Sequence, residues 1–196
     1  MPPNAQEVLD FWFGAPGDPG HAQPRVQWFR KDPAFDTAIV QRFGTLIEQA
    51  LAGGIDDWIA PPAAPLPSLA RVIVLDQFTR NAFRGSARAF AGDALALQTA
   101  CMLVASGLDR QLGSVQRQFA YLPFEHAEDL AHQRTSVQLF AQLGRDEPGL
   151  AGLVEWARRH HGIIERFGRF PHRNAALGRV STAAEIEFLK QPGSSF

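Results

Sequence analysis

Leu66 to Arg88, LPSLARVIVLDQFTRNAFRGSAR, decides how the rest of the chain is read. Taken as one helix at about 100° per residue, Leu66, Leu69, Ala70 and Ile73 fall in one sector, and Asp76, Gln77, Arg80, Asn81 and Arg84 continue along it. A solvated surface helix sets its charges opposite its apolar stripe. Here the stripe itself turns polar, which predicts charged and amide groups entering the core or lining a cavity. Asp76 and Arg80 stack one turn apart, as do Gln77 and Asn81. The cluster therefore reads in two ways: a site in which Asp76 orients Arg80 toward an anion while the amides donate hydrogen bonds, or a network bracing the helix end against its neighbours.

Working outward, the flanking segments are also helical. Ala5 to Phe13 is a short, unusually apolar helix closed by Gly14, which has to dock on something. Gly14 to Pro24 is loop, and Trp28-Phe29 is an aromatic anchor. Asp32-Pro33 sets an N-cap acid before a proline at the first helical position, and the helix runs to Leu51 before Gly53-Gly54. Beyond the organising stretch, Asp93 to Ser106 is apolar on nearly every side, as a central helix would be. Ser114 to Phe124 and Glu128 to Leu143 read as two helices separated near Pro123 to Ala127, or as a single helix with a proline kink. Pro148 to Phe167 is another helix, and Thr182 to Leu189 is the last, opened by the capping box Thr182-x-x-Glu185.

No period-two run bounded by turn residues stands out. The expected fold is all-α, a single domain over residues 1–196 of about eight helices in stacked antiparallel hairpins, with essentially no sheet. Ala94 to Leu108 and Ala131 to Gly144 are both rich in small residues at a spacing close to that of a tetratricopeptide repeat, although the signature positions are not filled cleanly.

Composition narrows the function classes. A formal net charge of −1 offers no general attraction to nucleic acid or to anionic membranes, and no basic run supplies a local one. No stretch approaches the roughly 20 apolar residues that span a bilayer, and MPPNAQEVLDFWFG lacks the basic start of a signal peptide. A cytoplasmic protein is expected. The single cysteine, Cys101, rules out an internal disulfide and any Cys-x-x-Cys motif. Phosphate-binding glycine loops and the serine-hydrolase elbow are absent as well.

Three further segments carry chemistry. AYLPFEHAEDL supplies Glu125, His126, Glu128 and Asp129, but the chain has neither Glu-x-x-His nor His-Glu-x-x-His, so no metal and no cofactor are expected. In Pro148 to Phe167, His160 and His161 fall on the apolar face, where imidazole that titrates near neutrality could act as acid or base. Phe170-Pro171-His172-Arg173-Asn174 is a polar loop that either carries function or caps the preceding helix through His172 and Arg173.

Taken together, VLDFWFG, VLDQFTRNAFRGSARAFAGDALAL, FAYLPFEHAEDL and IIERFGRFPHRNAALGRVST resemble the bacterial domain-of-unknown-function 924 family over nearly the whole chain. The resemblance implies a tetratricopeptide-like helical fold with no established activity. It groups Asp76, Gln77, Arg80, Asn81 and Arg84 with His126, Glu128, Asp129, His160, His172, Arg173 and Asn174. Serine usually stands in that pattern at Ala127 and proline at Thr79, so no hydroxyl precedes Glu128 here.

Three functions are weighed. The first is an inward pocket for a small anionic ligand or an acidic peptide end, formed by Asp76, Gln77, Arg80, Asn81, Arg84, Arg173 and Asn174. The second is an enzyme acting on an anionic substrate, with His126, His160 or His172 as acid/base and Glu128 or Asp129 orienting it. The third is a scaffold dimerising through its aromatic N-terminus. Neither nucleic acid nor membrane is an expected partner, and the oligomeric state is left open.

Overall fold

The quoted stretch is helical in the computed structural model, which describes residues 4–60 and 62–195. Among the described residues there are eight helices, joined by turns and short 3-10 segments, and no strand. They are α1 (Ala5–Phe13), α2 (Pro33–Leu51), α3 (65–82), α4 (Asp93–Ala105), α5 (Ser114–His126), α6 (Leu130–Asp146), α7 (Leu153–Phe167) and α8 (Ala183–Leu189). The chain divides into two compact units: Met1–Arg84 with Arg88–Pro123, and Gly85–Ala87 with Phe124–Phe196. No helix among the described residues is long and apolar enough to cross a membrane.

In the first unit α3 is three pieces in one rod: an α segment Pro65–Val72, a π segment Ile73–Phe78 and an α segment Thr79–Ala82. The reading of one uniform helix as far as Arg84 is corrected here. The wider π turn changes the angular step, and every residue from Pro67 to Thr79 is buried, so no single inward sector exists. The Thr79 hydroxyl donates to the Leu75 carbonyl at 2.8 Å. Gly92 packs against that same carbonyl so closely that a Cβ would lie 2.1 Å from its oxygen, and this brings the first residue of α4, Asp93, beside α3. Buried Arg71 extends the tie, donating to the Leu95 carbonyl at 3.0 Å, to Asp56 at 2.6 Å and to the Thr99 hydroxyl.

The aromatic core of this unit gathers around α1. Trp12 stacks on Trp28 at 5.9 Å, Trp28 meets Phe119 edge-on at 4.7 Å, and Phe43 lies 4.8 Å from Phe78. The Trp28 indole N–H donates to the Trp12 carbonyl at 3.2 Å. Trp12 and Phe13 are buried, so α1 does not offer the exposed aromatic face that the dimerising scaffold requires; Met1 to Pro3 lie outside the described residues. Asp32 caps α2 as its sequence predicts, accepting from the Ala34 and Phe35 amides.

In the second unit α6 and α7 pack on each other as a hairpin. Their connection is tight, because a Cβ on Gly144 would sit 2.8 Å from the Ala151 Cα. Helix α5 continues through Pro123 and ends at His126, within the break expected from Pro123 to Ala127. Helix α7 ends at Gly168 with φ 69°, the left-handed cap that glycine favours. His172 and Arg173 therefore are not its caps but lie on a separate 3-10 turn, Pro171–Arg173. Of the two adjacent histidines only His160 is buried; His161 is half-buried, since the hairpin covers a narrower face than the 100° count allows. The capping box forms as read: Thr182 Oγ1 accepts from the Glu185 amide at 3.2 Å, and Glu185 Oε2 accepts from the Thr182 amide at 2.7 Å. Ile163, Ile164 and Phe170 make a small core, with Leu130, Phe167 and Phe188 packed against it.

Candidate functional site

The sequence-predicted polar residues form one cluster in each unit. In the first, Asp76 has no exposed surface. Its carboxylate accepts from Gln77 Nε2 at 2.6 Å and pairs with Arg80 Nη1 at 3.1 Å. Arg80 also donates to both oxygens of Asp93, at 2.7 and 3.1 Å. Burial opposes the guanidinium charge, but Asp76 and Asp93 outweigh it and hold the Arg80 pKa above its ordinary value. One helical turn on, Asn81 and Arg84 converge on Asp36: the amide donates at 2.7 Å, and Arg84 forms a fork at 2.9 and 3.0 Å. Arg84 lies beyond the helix end and is exposed, contrary to the inward position its spacing predicts. Both arginines thus already hold carboxylates of this chain in bidentate geometry, the geometry in which they would otherwise grip an incoming anion.

The second cluster is assembled from the end of α5, the middle of α7 and the 3-10 turn. His160, on α7, meets the Phe170 ring edge-on at 5.5 Å, and its own ring lies 6.5 Å from that of His126. The His172 ring lies 5.7 Å from that of Phe170, and the Arg173 guanidinium carbon sits 4.5 Å from the Phe170 centroid. Phe170 is therefore the hub that two imidazoles and one guanidinium share, with His126 beside His160. His160 and Arg173 are buried; His126 and His172 are half-buried.

Carboxylates and amides hold this arrangement. Glu128 accepts from the Phe170 amide at 2.7 Å and from Arg179 at 2.5 and 2.9 Å. Burial alone would raise the Glu128 pKa, but these donors, with Arg173 beyond them, hold it below the usual range. Arg179 is itself aimed by Asn174, whose Oδ1 accepts from its Nε at 2.9 Å, and Asn174 Nδ2 donates to the Ser181 hydroxyl at 3.0 Å. Asp129 caps α6, accepting from the Ala131 and His132 amides at 2.9 Å, with its pKa lowered chiefly by the His132 amide. Gln133 closes the end of α5 by donating to the Glu125 carbonyl at 2.6 Å and the Ala127 carbonyl at 2.8 Å. Among the described residues no group of three His, Cys, Asp or Glu side chains could hold a metal ion.

His160 has two acceptors at one nitrogen. Its Nδ1 lies 2.9 Å from the Trp156 carbonyl and 3.2 Å from Glu125 Oε1. Burial drives the His160 pKa down to about 3, with the Trp156 carbonyl opposing and His126, Arg173 and His172 adding to the fall. The Nδ1 hydrogen bond goes to the Trp156 carbonyl, and with the ring neutral the 3.2 Å approach to Glu125 is not an ion pair. Sequence reasoning assigned the orienting role to Glu128 or Asp129, named Glu125 without placing it beside His160, and missed Arg179. Glu125 precedes His126 in the same motif, while Arg179 carries no local signal.

The family described as bacterial protein of unknown function (DUF924) matches residues 8–193. The fold is similar to the structure of a protein of unknown function, ATU0120, from Agrobacterium tumefaciens, with 39% sequence identity and a TM-score of 0.80, covering 95% of this chain and 96% of that one. Among curated proteins, none matches.

Proposed function

The chain belongs to the bacterial family of unknown function DUF924, and we propose that it binds a small anionic ligand, free or at the end of an acidic peptide, through the cluster around Phe170. One observation carries this reading: His160, His172 and Arg173 pack about the Phe170 ring with His126 beside His160, while Glu128, the carboxylate whose field reaches Arg173, is engaged by Arg179 and the Phe170 amide. Arg173 supplies the fork and the imidazoles supply N–H donors. Asn174 and Arg179 aim the turn. The Asp76, Gln77, Arg80, Asn81 and Arg84 group is by the same logic a brace, because its guanidinium forks already hold Asp93 and Asp36. Neither nucleic acid nor membrane is a partner in this account, and the protein works in the cytoplasm.

A second reading, a histidine acid/base acting on an anionic substrate, is favoured by the Trp156 carbonyl fixing His160 Nδ1 with the Glu125 carboxylate 3.2 Å away. It ranks below binding, because an imidazole with a pKa of about 3 is a feeble base at neutral pH. A thermal-shift series with sulfate, phosphate and a short acidic peptide, on wild type and Arg173→Gln, tests the proposal. Anion at a hundred times its dissociation constant stabilises the folded state by about 2.7 kcal/mol. The midpoint should rise in wild type and not in the variant; a flat series in wild type overturns the reading.

A further inference from the structure

Where the carboxyl end of α7 meets the start of α8, Arg166, Phe167, Arg169, Thr182, Ala184 and Glu185 line an open recess of about 470 Å³, a volume within the range of small-molecule sites. All six residues belong to the second unit. Phe167 packs on Phe188 at 5.1 Å, and the Arg166 guanidinium carbon lies over both rings, 4.6 Å from the Phe167 centroid and 5.9 Å from that of Phe188. Such stacking fixes the plane of the guanidinium and leaves its N–H edge unused by the rings. Arg166 holds no carboxylate among the described residues. Arg169 does: it donates Nε and Nη2 to Glu185 at 2.7 and 2.9 Å, and Nη2 also to the Val180 carbonyl at 2.8 Å. Thr182 Oγ1 accepts from the Glu185 amide, which leaves its hydroxyl hydrogen outside the cap.

Charge and shape define what fits. Two arginines and one glutamate line the recess, and Glu185, held down at about 2 by Arg169 and the Thr182 amide, is ionised, so the lining carries one net positive charge. One negative charge matches it. A second would meet Glu185 and the carbonyl end of α7, whose dipole disfavours anions. Phe167 and Ala184 add apolar surface, and Val180, bonded to Arg169 through its carbonyl, is 88% exposed. We propose that this recess binds an amphipathic monocarboxylate: the planar carboxylate accepts a fork of N–H bonds from the edge of Arg166, the Thr182 hydroxyl is a further donor, and the apolar body lies on Phe167 and Ala184. The recess shares no residue with the cluster around Phe170, and the inference does not rest on the reading given for that cluster. A free acid and the carboxyl end of a peptide with an apolar last side chain present the same chemistry.

The test titrates the isotope-labelled full chain with phenylacetate and follows the backbone amide and arginine Nε–H signals. Arg166 Nε–H and the amides of Phe167 and Thr182 should move along one saturating curve. Acetate, which lacks the body, and phenylacetamide, which lacks the charge, should each bind about fivefold or more weakly. Arg166→Gln, a change at an exposed position, should keep the wild-type spectrum elsewhere and lose affinity by about the same factor. Arg173→Gln should bind phenylacetate as wild type does. A short peptide ending in phenylalanine separates the two sources: tighter binding than phenylacetate, lost on amidation of its terminus, assigns the recess to a peptide end, and weaker binding assigns it to a free acid. Shifts that do not saturate, equal affinity for phenylacetamide, or undiminished affinity in Arg166→Gln would overturn the proposal and leave the Phe170 cluster untouched. Loss of binding in Arg173→Gln but not in Arg166→Gln would place the carboxylate at that cluster and overturn it equally.

Discussion

Glu125 Oε1 lies 3.2 Å from His160 Nδ1, and the two do not form an ion pair, because burial and the neighbouring cationic groups keep the imidazole neutral. The sign of the resulting pH dependence follows. His160 has a folded pKa of about 3 against an unfolded value near 6.5, so below pH 6.5 the unfolded chain takes up a proton that the folded chain refuses. The stability His160 allows is complete above pH 6.5 and falls away toward pH 3. One proton over the interval from 6.5 to 5 amounts to about 2 kcal/mol. Urea denaturation at pH 7 and pH 5 should show His160→Asn losing about 2 kcal/mol less than wild type between the two. Two carboxylates near the cluster and the last helix stay clear of that interval, since Glu128 is held below its usual range and Glu185, gripped by Arg169 and the Thr182 amide, is down at about 2.

Arg80→Ala would leave Asp76, which has no exposed surface, without its cationic partner and would release Asp93 as well. Breaking one side of such a pair costs about 3–5 kcal/mol, and replacing both Asp76 and Arg80 by packed apolar residues should recover much of it. Chemical denaturation measures this. A loss within about 1 kcal/mol would mean that water hydrates the group left behind, and would return these residues to the role of a solvated pocket.

Arg179→Ala removes the fork from Glu128 and the bond to the Phe170 carbonyl at 3.1 Å. With charge-assisted bonds to partly exposed groups lost, the expected destabilisation is about 1–3 kcal/mol. The freed Glu128 would then compete for Arg173, so sulfate affinity should drop tenfold or more. Arg179→Lys, which keeps the charge and loses the fork, should fall between; affinity unchanged in both variants would contradict the positioning role.

Gly92→Ala tests how α4 is seated. The added carbon would meet the Leu75 carbonyl oxygen at 2.1 Å, a backbone atom that cannot step aside, so α4 would have to move and carry Asp93 away from Arg80. Overpacking of this kind costs about 1–3 kcal/mol, and the lost Arg80–Asp93 fork adds to it. A thermal midpoint matching wild type would contradict the packing described.

What the sequence makes legible here is what is local. Asp32-Pro33 and Thr182-x-x-Glu185 announce their caps because each cap is made within four residues, and Ala5 to Phe13 is bounded by the same residues in sequence and structure. The π segment was not legible, since a 100° count presupposes the pitch it is meant to detect. The partners of the polar residues were not legible either. Asp36 meets Asn81 and Arg84 across 45 and 48 residues, and Glu128 meets Arg179 across 51. Such pairings are decided by which helices pack, so the reading found the residues that carry charge and misjudged whom they face. The family match and the all-helical fold agree with the expectation.

The claim on which the account turns is that His126, His160 and His172 surround one anion. The chain has six histidines, and the other three, His21, His132 and His161, serve as internal controls. Long-range proton–nitrogen correlation spectra of the imidazoles, recorded through a sulfate titration at pH 6.5, read each ring separately. The account predicts that His126, His160 and His172 shift together along one saturating curve and that the controls stay in place. Saturation without any movement of those three rings, or a uniform linear drift of all six, would contradict it.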